Sequence, residues 1–230
     1  MRYAVYFTPS PDKALAAAGA GWLGRDAFTG ELLPQPVVPS VDPERLRVVT
    51  ADPRRYGFHA TLKPPFQLAS DAGEADLVAA FADFAASRPA FETRLEVGRL
   101  GGFLALVPAG SDEELRALAD AAVVAFDRFR APLAAAELER RRRGGMTAVE
   151  DDNLVRWGYP YVFDAFRFHM TLSHSLADPE LAAIETAARA WFDEIVSEPT
   201  DVDTLGLFVE RDPGGPFMVL TTASLDPSSS

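Results

Sequence analysis

The stretch Tyr56-Gly57-Phe58-His59-Ala60-Thr61-Leu62 returns later in the chain as Phe166-Arg167-Phe168-His169-Met170-Thr171-Leu172. Both copies contain the pattern Phe-His-x-Thr-Leu. Aromatic and aliphatic residues dominate each copy, and turn-forming pairs follow, Pro64-Pro65 after the first and Asp178-Pro179 after the second. This composition is typical of short buried strands. The sequence therefore predicts two equivalent strands, one in each half of the chain.

Side chains of a strand alternate between two faces, so each copy is predicted to have a polar face and an apolar face. In the first copy His59, Thr61 and Lys63 share the polar face. In the second copy His169 and Thr171 do the same. Each strand thus presents an imidazole and a hydroxyl about 7 Å apart. That separation allows two groups to contact different atoms of one phosphate.

The repeat is informative because the chain has few histidines. A single His-x-Thr sequence is common, and a histidine on a strand is usually structural. The chain contains three histidines, and two of them fall at the same place in a repeated pentapeptide. We therefore predict that His59 and His169 are catalytic. His174 follows the second copy with the opposite strand parity and is predicted to be a residue at the rim.

The elements around the two copies repeat as well. After each copy the pattern predicts a helix and then two strands joined by a glycine turn, Gly101-Gly102 in the first half and Gly214-Gly215 in the second. A repeat matched at several elements indicates duplication with pseudo-two-fold symmetry. The predicted fold class is α+β, built from duplicated strand-helix-strand-strand units that face each other as two lobes.

The predicted domain organisation is a single bilobal domain over residues 1–225. The first lobe lies around residues 50–130 and the second around 155–225, joined by an N-terminal strand at 2–7. Residues 24–55, rich in proline and glycine, are predicted to be an ordered loop without regular structure. Residues 133–156 are predicted to form an inserted helical hairpin, and residues 226–230 a disordered tail.

Composition limits the possible partners. A formal net charge of −12 argues against a long nucleic acid, because such binding depends on clustered Lys and Arg. The basic run Arg140-Arg141-Arg142-Arg143 follows Glu137 and Glu139, which favours a salt-bridged helix end over an RNA-binding patch. The absence of cysteine suits a cytoplasmic location, and no apolar run is long enough to span a bilayer. The oligomeric state is left open, with a monomer favoured.

The paired His-x-Thr strands resemble the 2H phosphoesterase superfamily, whose members act on cyclic and 2′-type phosphate esters. Longer stretches resemble one branch of it, the phosphonate-metabolism proteins encoded beside carbon–phosphorus lyase components. Besides the two motifs, the matching stretches are Arg2-Tyr3-Ala4-Val5-Tyr6-Phe7, Gly101-Gly102-Phe103-Leu104-Ala105-Leu106, Arg130-Ala131-Pro132-Leu133 and Trp157-Gly158-Tyr159-Pro160-Tyr161-Val162. The resemblance spans nearly the whole chain. It implies a fold similar to RNA ligases and cyclic phosphodiesterases.

The resemblance also implies an activity. We expect a metal-independent phosphodiesterase that hydrolyses a small cyclic phosphate or phosphodiester, for instance a ribose cyclic phosphate in phosphonate catabolism. One imidazole would take a proton from the attacking oxygen and the other would give one to the leaving oxygen. The phosphate-binding residues would be Thr61 and Thr171, joined by Arg167, Tyr161 and Lys63. No cofactor and no metal are expected.

Other functions remain open at this stage. One alternative is a phosphodiesterase acting on 2′,3′-cyclic nucleotides or RNA ends, and another is a non-catalytic protein that binds a phosphosugar or nucleotide. A dinuclear metal hydrolase is disfavoured because the sequence has no His-x-His, His-x-x-x-His or His-Asp pair. Neither the Gly-x-Gly-x-x-Gly pattern nor the P-loop pattern of nucleotide-binding proteins occurs. The exact substrate and the division of acid and base roles cannot be read from the sequence.

Overall fold

The computed structural model of the protein describes residues 1–226 and has an α+β fold with an antiparallel sheet. The strands are β1 (Arg2–Phe7), β2 (Ala60–Phe66), β3 (Phe91–Thr93), β4 (Leu95–Leu100), β5 (Phe103–Pro108), β6 (Met170–Thr171), β7 (Thr200–Val202), β8 (Thr204–Glu210) and β9 (Met218–Ser224). The helices are α1 (Ala14–Leu23), α2 (Pro43–Val49), α3 (Ala51–Tyr56), α4 (Glu74–Ala86), α5 (Glu113–Asp127), α6 (Ala135–Arg142), α7 (Ala148–Trp157) and α8 (Glu180–Phe192).

Seven strands form one sheet in the order β4-β5-β6-β2-β1-β8-β9, while β3 and β7 pair separately. The two motif strands, β2 and β6, are neighbours at the middle of this sheet and pair antiparallel at Ala60 and Met170. We expected them in opposite lobes. In the sheet, β6 from the second half of the chain lies between β5 and β2 from the first half, and the division into two lobes stays a prediction. The predicted pseudo-two-fold symmetry stays a prediction.

Helices α4, α5 and α8 cover the apolar side of the sheet. The two motif copies supply the buried residues Phe58, Leu62, Met170 and Leu172 to this core. Burial of such side chains is the main favourable contribution to folding. The opposite side of the sheet carries the histidines and threonines of the motifs. The predicted alternation between an apolar and a polar face therefore holds for the central residues of both copies.

The strand boundaries differ from those predicted. The first strand begins at Ala60, because the residues before it belong to α3 and to the turn at Gly57. It also continues through Pro64 and Pro65 to Phe66, where a turn was expected. Pairing with β1 slips by one residue between Thr61 and Lys63, which is a β-bulge. The second motif strand is short, since regular pairing covers only Met170–Thr171.

The prediction that residues 24–55 lack regular structure is corrected. Residues 24–55 contain helices α2 and α3. The side chain of Asp42 accepts hydrogen bonds from the first turn of α2, and Pro43 occupies its first position, which is a normal helix start.

The predicted hairpin at 133–156 consists of α6 and α7, and α7 starts with a capping box formed by Thr147 and Glu150. Of the predicted tail, Asp226 is anchored through its carbonyl, which accepts a hydrogen bond from the Ala90 amide at 2.8 Å. Residues 227–230 lie outside the described part of the chain. Within residues 1–226, no helix combines the length and the apolar content that crossing a bilayer demands. The cytoplasmic location stays a prediction.

Candidate active site

The two motif histidines are held in the same way. The Nδ1 atom of His59 lies 2.8 Å from the carbonyl oxygen of Gly57, and the Nδ1 atom of His169 lies 2.8 Å from that of Arg167. A carbonyl oxygen only accepts, so each Nδ1 carries the proton and donates it. In the neutral imidazole the other nitrogen, Nε2, then has a free lone pair. Both copies of the motif thus present Nε2 for proton transfer.

Strand pairing brings the two motifs together. Ala60 and Met170 are directly opposed, and the antiparallel register that they set puts His59 across from Thr171 and His169 across from Thr61. Directly opposed residues have Cβ atoms about 4.5–5.5 Å apart. The Thr61 hydroxyl lies 3.3 Å from Nε2 of His59. The register therefore places the two histidines at diagonal positions on one face of the sheet and the two threonines on the other diagonal.

His59 packs against three aromatic rings. The Tyr6 ring stacks on it with centroids 3.9 Å apart, and the rings of Tyr56 and Phe208 lie at 6.1 and 6.2 Å. Burial lowers the pKa of His59 to about 4; the hydrogen bond to Gly57 opposes this shift, and the nearby charge of His169 adds to it. His59 is therefore neutral at neutral pH and can accept a proton at Nε2.

His169 has a more open environment. Phe103 meets it edge-on with centroids 5.7 Å apart, and the adjacent Arg167 is exposed to solvent. Burial lowers the pKa of His169, and its hydrogen bond to the Arg167 carbonyl opposes that shift. A bound phosphate would raise the pKa of this imidazole, because an opposite charge nearby favours the protonated form.

Two adjoining cavities open on the motif residues. The first has a volume of about 490 Å³ and contains His59 and Thr171. The second has a volume of about 580 Å³ and contains His169 and Arg167. Thr61 and the aromatic residues Tyr159 and Tyr161 line both. Volumes of this size are typical of small-molecule sites.

The other predicted site residues have different positions. Arg167 and Tyr161 line the second cavity, and Tyr161 is 49% exposed. Lys63 does not lie on the polar face, where it was predicted. It follows the β-bulge and points toward α5, where its ammonium binds the Asp127 carboxylate at 3.0 Å and the Val123 carbonyl at 3.1 Å. Burial lowers the pKa of Lys63, and Asp127 opposes this. His174 lines neither cavity, and its place at the rim stays a prediction.

Several residues that line the first cavity were not predicted as site residues from the sequence. They are Arg2, Tyr6, Tyr56, Arg140 and Arg141. Two come from β1, one ends α3 and two belong to α6. Their positions depend on the sheet order and on the packing of the inserted hairpin, neither of which leaves a local pattern. The only usable signal was the alternation of Arg2, Ala4 and Tyr6 along the first strand. Among residues 1–226 we find no group of three or more His, Cys, Asp or Glu that could hold a metal ion.

Two curated relatives are similar to the chain. The ribose 1,5-bisphosphate phosphokinase PhnN of Janthinobacterium sp. (strain Marseille) is 40% identical over 94% of this chain and 49% of the relative. The protein of the same name from Laribacter hongkongensis (strain HLHK9) is 38% identical over 94% of this chain and 50% of the relative. The chain thus spans about half the length of the curated relatives that it matches.

These names contradict the predicted activity. We expected a cyclic phosphodiesterase, whereas the relatives are named for a kinase, which transfers a phosphoryl group and does not hydrolyse a diester. The prediction of a phosphodiester hydrolase is therefore wrong. The expectation of a small phosphorylated substrate agrees with the relatives' name.

The remaining comparisons concern fold and family. The crystal structure of TT0787 of Thermus thermophilus covers 99% of this chain and 100% of that chain, with 16% identity and a TM-score of 0.45. We draw no conclusion about this chain from a similarity with so low a TM-score. A family model described as "Protein of unknown function (DUF1045)" matches residues 61–218, which is most of the chain. The protein belongs to the DUF1045 family.

Proposed function

We propose that this chain is an enzyme unit that binds a phosphorylated ribose and moves protons during phosphoryl transfer to or from that sugar. The observation that carries the proposal is that both motif imidazoles donate from Nδ1 to the carbonyl two residues earlier, which leaves Nε2 of each available at two adjoining cavities that share Thr61. The name of the relatives, a ribose 1,5-bisphosphate phosphokinase, supports a phosphorylated ribose as the ligand. The phosphonate-metabolism setting implied by the sequence resemblance is part of the proposal.

The proton transfers follow from the two environments. His59 is neutral above about pH 4 and acts as the base that accepts the proton of the attacking oxygen at Nε2. A new P–O bond forms at that oxygen while the bond to the leaving oxygen breaks. His169, protonated when the anionic ligand is bound, gives its proton to the leaving oxygen. General acid–base catalysis of this kind contributes about 10²–10⁴-fold to a rate.

Thr61 and Thr171 bind the transferring phosphoryl group. A hydroxyl donates one hydrogen bond, and donors aimed at phosphoryl oxygens stabilise the charge that develops there in the transition state. Arg167 and Tyr161, which line the His169 cavity, are proposed to contact the same ligand. Lys63 is left out, because its ammonium is already paired with Asp127 on the other side of the sheet.

The chain is proposed to provide the sugar-phosphate site rather than the nucleotide site of a kinase. A kinase needs a phosphoryl donor, and nucleotide-binding loops hold its phosphates with glycine-rich backbone. No such motif occurs in the 230 residues. The relatives are about twice as long as the match, so this chain need not contain every site of the named activity.

Calorimetry and ³¹P NMR test this proposal. The purified chain is titrated with ribose 5-phosphate and ribose 1,5-bisphosphate, and each mixture is then followed by ³¹P NMR with and without a nucleoside triphosphate and Mg²⁺. We expect binding of the sugar phosphates and a change in their resonances that is lost in His59→Ala and His169→Ala. Binding without any reaction would reduce the proposal to a phosphosugar-binding protein. Absence of binding would overturn it.

A further inference from the structure

The charged residues that line the cavity next to His59 are all arginines. They are Arg2, Arg140 and Arg141, and no acidic side chain among residues 1–226 lines this cavity. The whole chain has a formal net charge of −12, so a purely cationic lining is unexpected on composition. A cluster of one sign of charge in a cleft concentrates ligands of the opposite sign. The cavity is therefore suited to an anion beyond the one that His59 and the threonines would contact.

We propose that Arg2, Arg140 and Arg141 form a second phosphate subsite, so that the preferred ligand is a sugar carrying two phosphate groups. One phosphate lies between the histidines and threonines, and the other lies on the three arginines. This inference rests on the proposed function, because it assigns the second group of the same ligand. Arginine suits the role, since its planar guanidinium binds phosphate oxygens in a fixed geometry.

The arginines have more positive charge than their protein partners neutralise. The Glu137 carboxylate binds both Arg140 and Arg141, and the buried Glu210 carboxylate binds both Arg2 and Arg55. Two carboxylates thus form ion pairs with four guanidinium groups. The hydrogen bond to Glu137 and its charge raise the pKa of Arg140, and burial and the charge of Arg2 oppose this rise, so the two cations are close enough to repel. A bound phosphate would relieve this repulsion.

Each of the three guanidinium groups has a donor to spare. Arg2 uses Nε and Nη2 for Glu210, Arg140 uses Nε and Nη2 for Glu137, and Arg141 uses Nε for Glu137 and Nη1 for the Gly158 carbonyl. One terminal nitrogen of each group has no hydrogen-bond acceptor among residues 1–226. The carboxylates thus fix the guanidinium groups in place while leaving donors for a phosphate.

The same contacts explain how the inserted hairpin reaches the site. Arg141 in α6 donates a hydrogen bond to the carbonyl oxygen of Gly158. Gly158 directly precedes Tyr159, and both Tyr159 and Tyr161 line the cavity. Glu137 is held ionised, because the hydrogen bonds from Arg140 and Arg141 lower its pKa to about 2. The hairpin therefore supplies an arginine pair to the cavity.

A comparison of one-phosphate and two-phosphate ligands tests the subsite. Wild type, Arg140→Gln, Arg141→Gln and Arg140→Lys are titrated by calorimetry with ribose 5-phosphate and with ribose 1,5-bisphosphate. We expect each Gln variant to weaken bisphosphate binding about tenfold and to leave monophosphate binding nearly unchanged. Arg140→Lys should retain part of the lost affinity. Arg143→Gln is the matched control, because it removes the same charge at the end of α6 from a residue outside the cavity.

The outcomes separate the two proposals. If wild type binds neither ligand, the proposed function fails and the subsite fails with it. If both ligands bind with equal affinity, or Arg140→Gln weakens both by the same factor, the second subsite is overturned while the proposed function stands. Arg140 is the decisive position, since its exposed side chain bonds only to Glu137 among the described residues, so the variant should fold even where Arg141→Gln does not. Circular dichroism melting curves check this.

Discussion

The two copies of the motif hold their imidazoles with the same hydrogen bond but have different surroundings. In both, Nδ1 donates to the carbonyl two residues earlier at 2.8 Å. The first imidazole then lies against Tyr6, Tyr56 and Phe208, whereas the second contacts Phe103 and lies near solvent. The hydrogen bond to the residue two positions earlier thus fixes the orientation of each ring, and residues from other parts of the chain affect its pKa. A duplicated motif can divide base and acid roles in this way.

The largest expected effect is the removal of either imidazole. His59→Ala and His169→Ala should each lower the rate of the proposed phosphoryl transfer about 10²–10⁴-fold, because each takes one proton-transfer group away. Initial rates measured by ³¹P NMR check this. The control is His174→Ala, which changes the third histidine outside both cavities and should keep the wild-type rate. A folded His59→Ala variant with full activity would show that this imidazole is structural.

The threonines are expected to contribute less. Thr61→Val and Thr171→Val each remove one hydrogen bond to a charged oxygen, a loss of about 1.5–3 kcal/mol, or about one to two decades in rate. The shape of the side chain is kept, so the fold should not change. If the two copies are equivalent at the phosphate, the two variants should lose similar factors. A loss confined to one of them would mean that only one threonine contacts the transferring group.

Much of the first copy could be predicted from sequence, and the reasons for the failures are physical. Alternation correctly assigned the apolar face, because Phe58 and Leu62 need burial whatever their partners are. It failed at Lys63, since the one-residue slip against β1 depends on tertiary pairing. The arginines of α6 were interpreted only as a salt-bridged helix end. Their ion pairs to Glu137 are present, but the cavity that they also line forms only when the hairpin packs.

A third prediction concerns the residue two positions before each histidine. Gly57 has φ +81° and ψ 176°, a conformation that is essentially restricted to glycine, and a Cβ there would lie 2.5 Å from the Ala27 Cβ. Gly57→Ala should therefore destabilise the fold by about 1–3 kcal/mol. Arg167→Ala, at the equivalent place in the second copy, removes an exposed side chain and should change stability by less than about 0.5 kcal/mol. Urea unfolding of both variants measures the contrast.

The last prediction concerns the pH dependence that distinguishes the two rings. Burial lowers the pKa of His59 to about 4 in the folded chain, against about 6.5 for an unperturbed histidine. Between these values the unfolded state binds more protons, so stability should rise as pH rises from about 4 to 6.5 and should stay level above that range. His59→Gln should flatten this part of the curve, while His174→Gln serves as the control.

An NMR titration of the ring resonances observes the same difference directly. We expect the His59 resonance to shift with a midpoint near 4 and that of His169 at a value below its ordinary one, because burial lowers that pKa too. Addition of a sugar phosphate should raise the His169 midpoint, since the anion favours the protonated ring. Calorimetry in buffers of different ionisation enthalpy should then record proton uptake on binding. If both rings titrate at the same unshifted pH, the surroundings do not distinguish the two copies, and the division into base and acid fails.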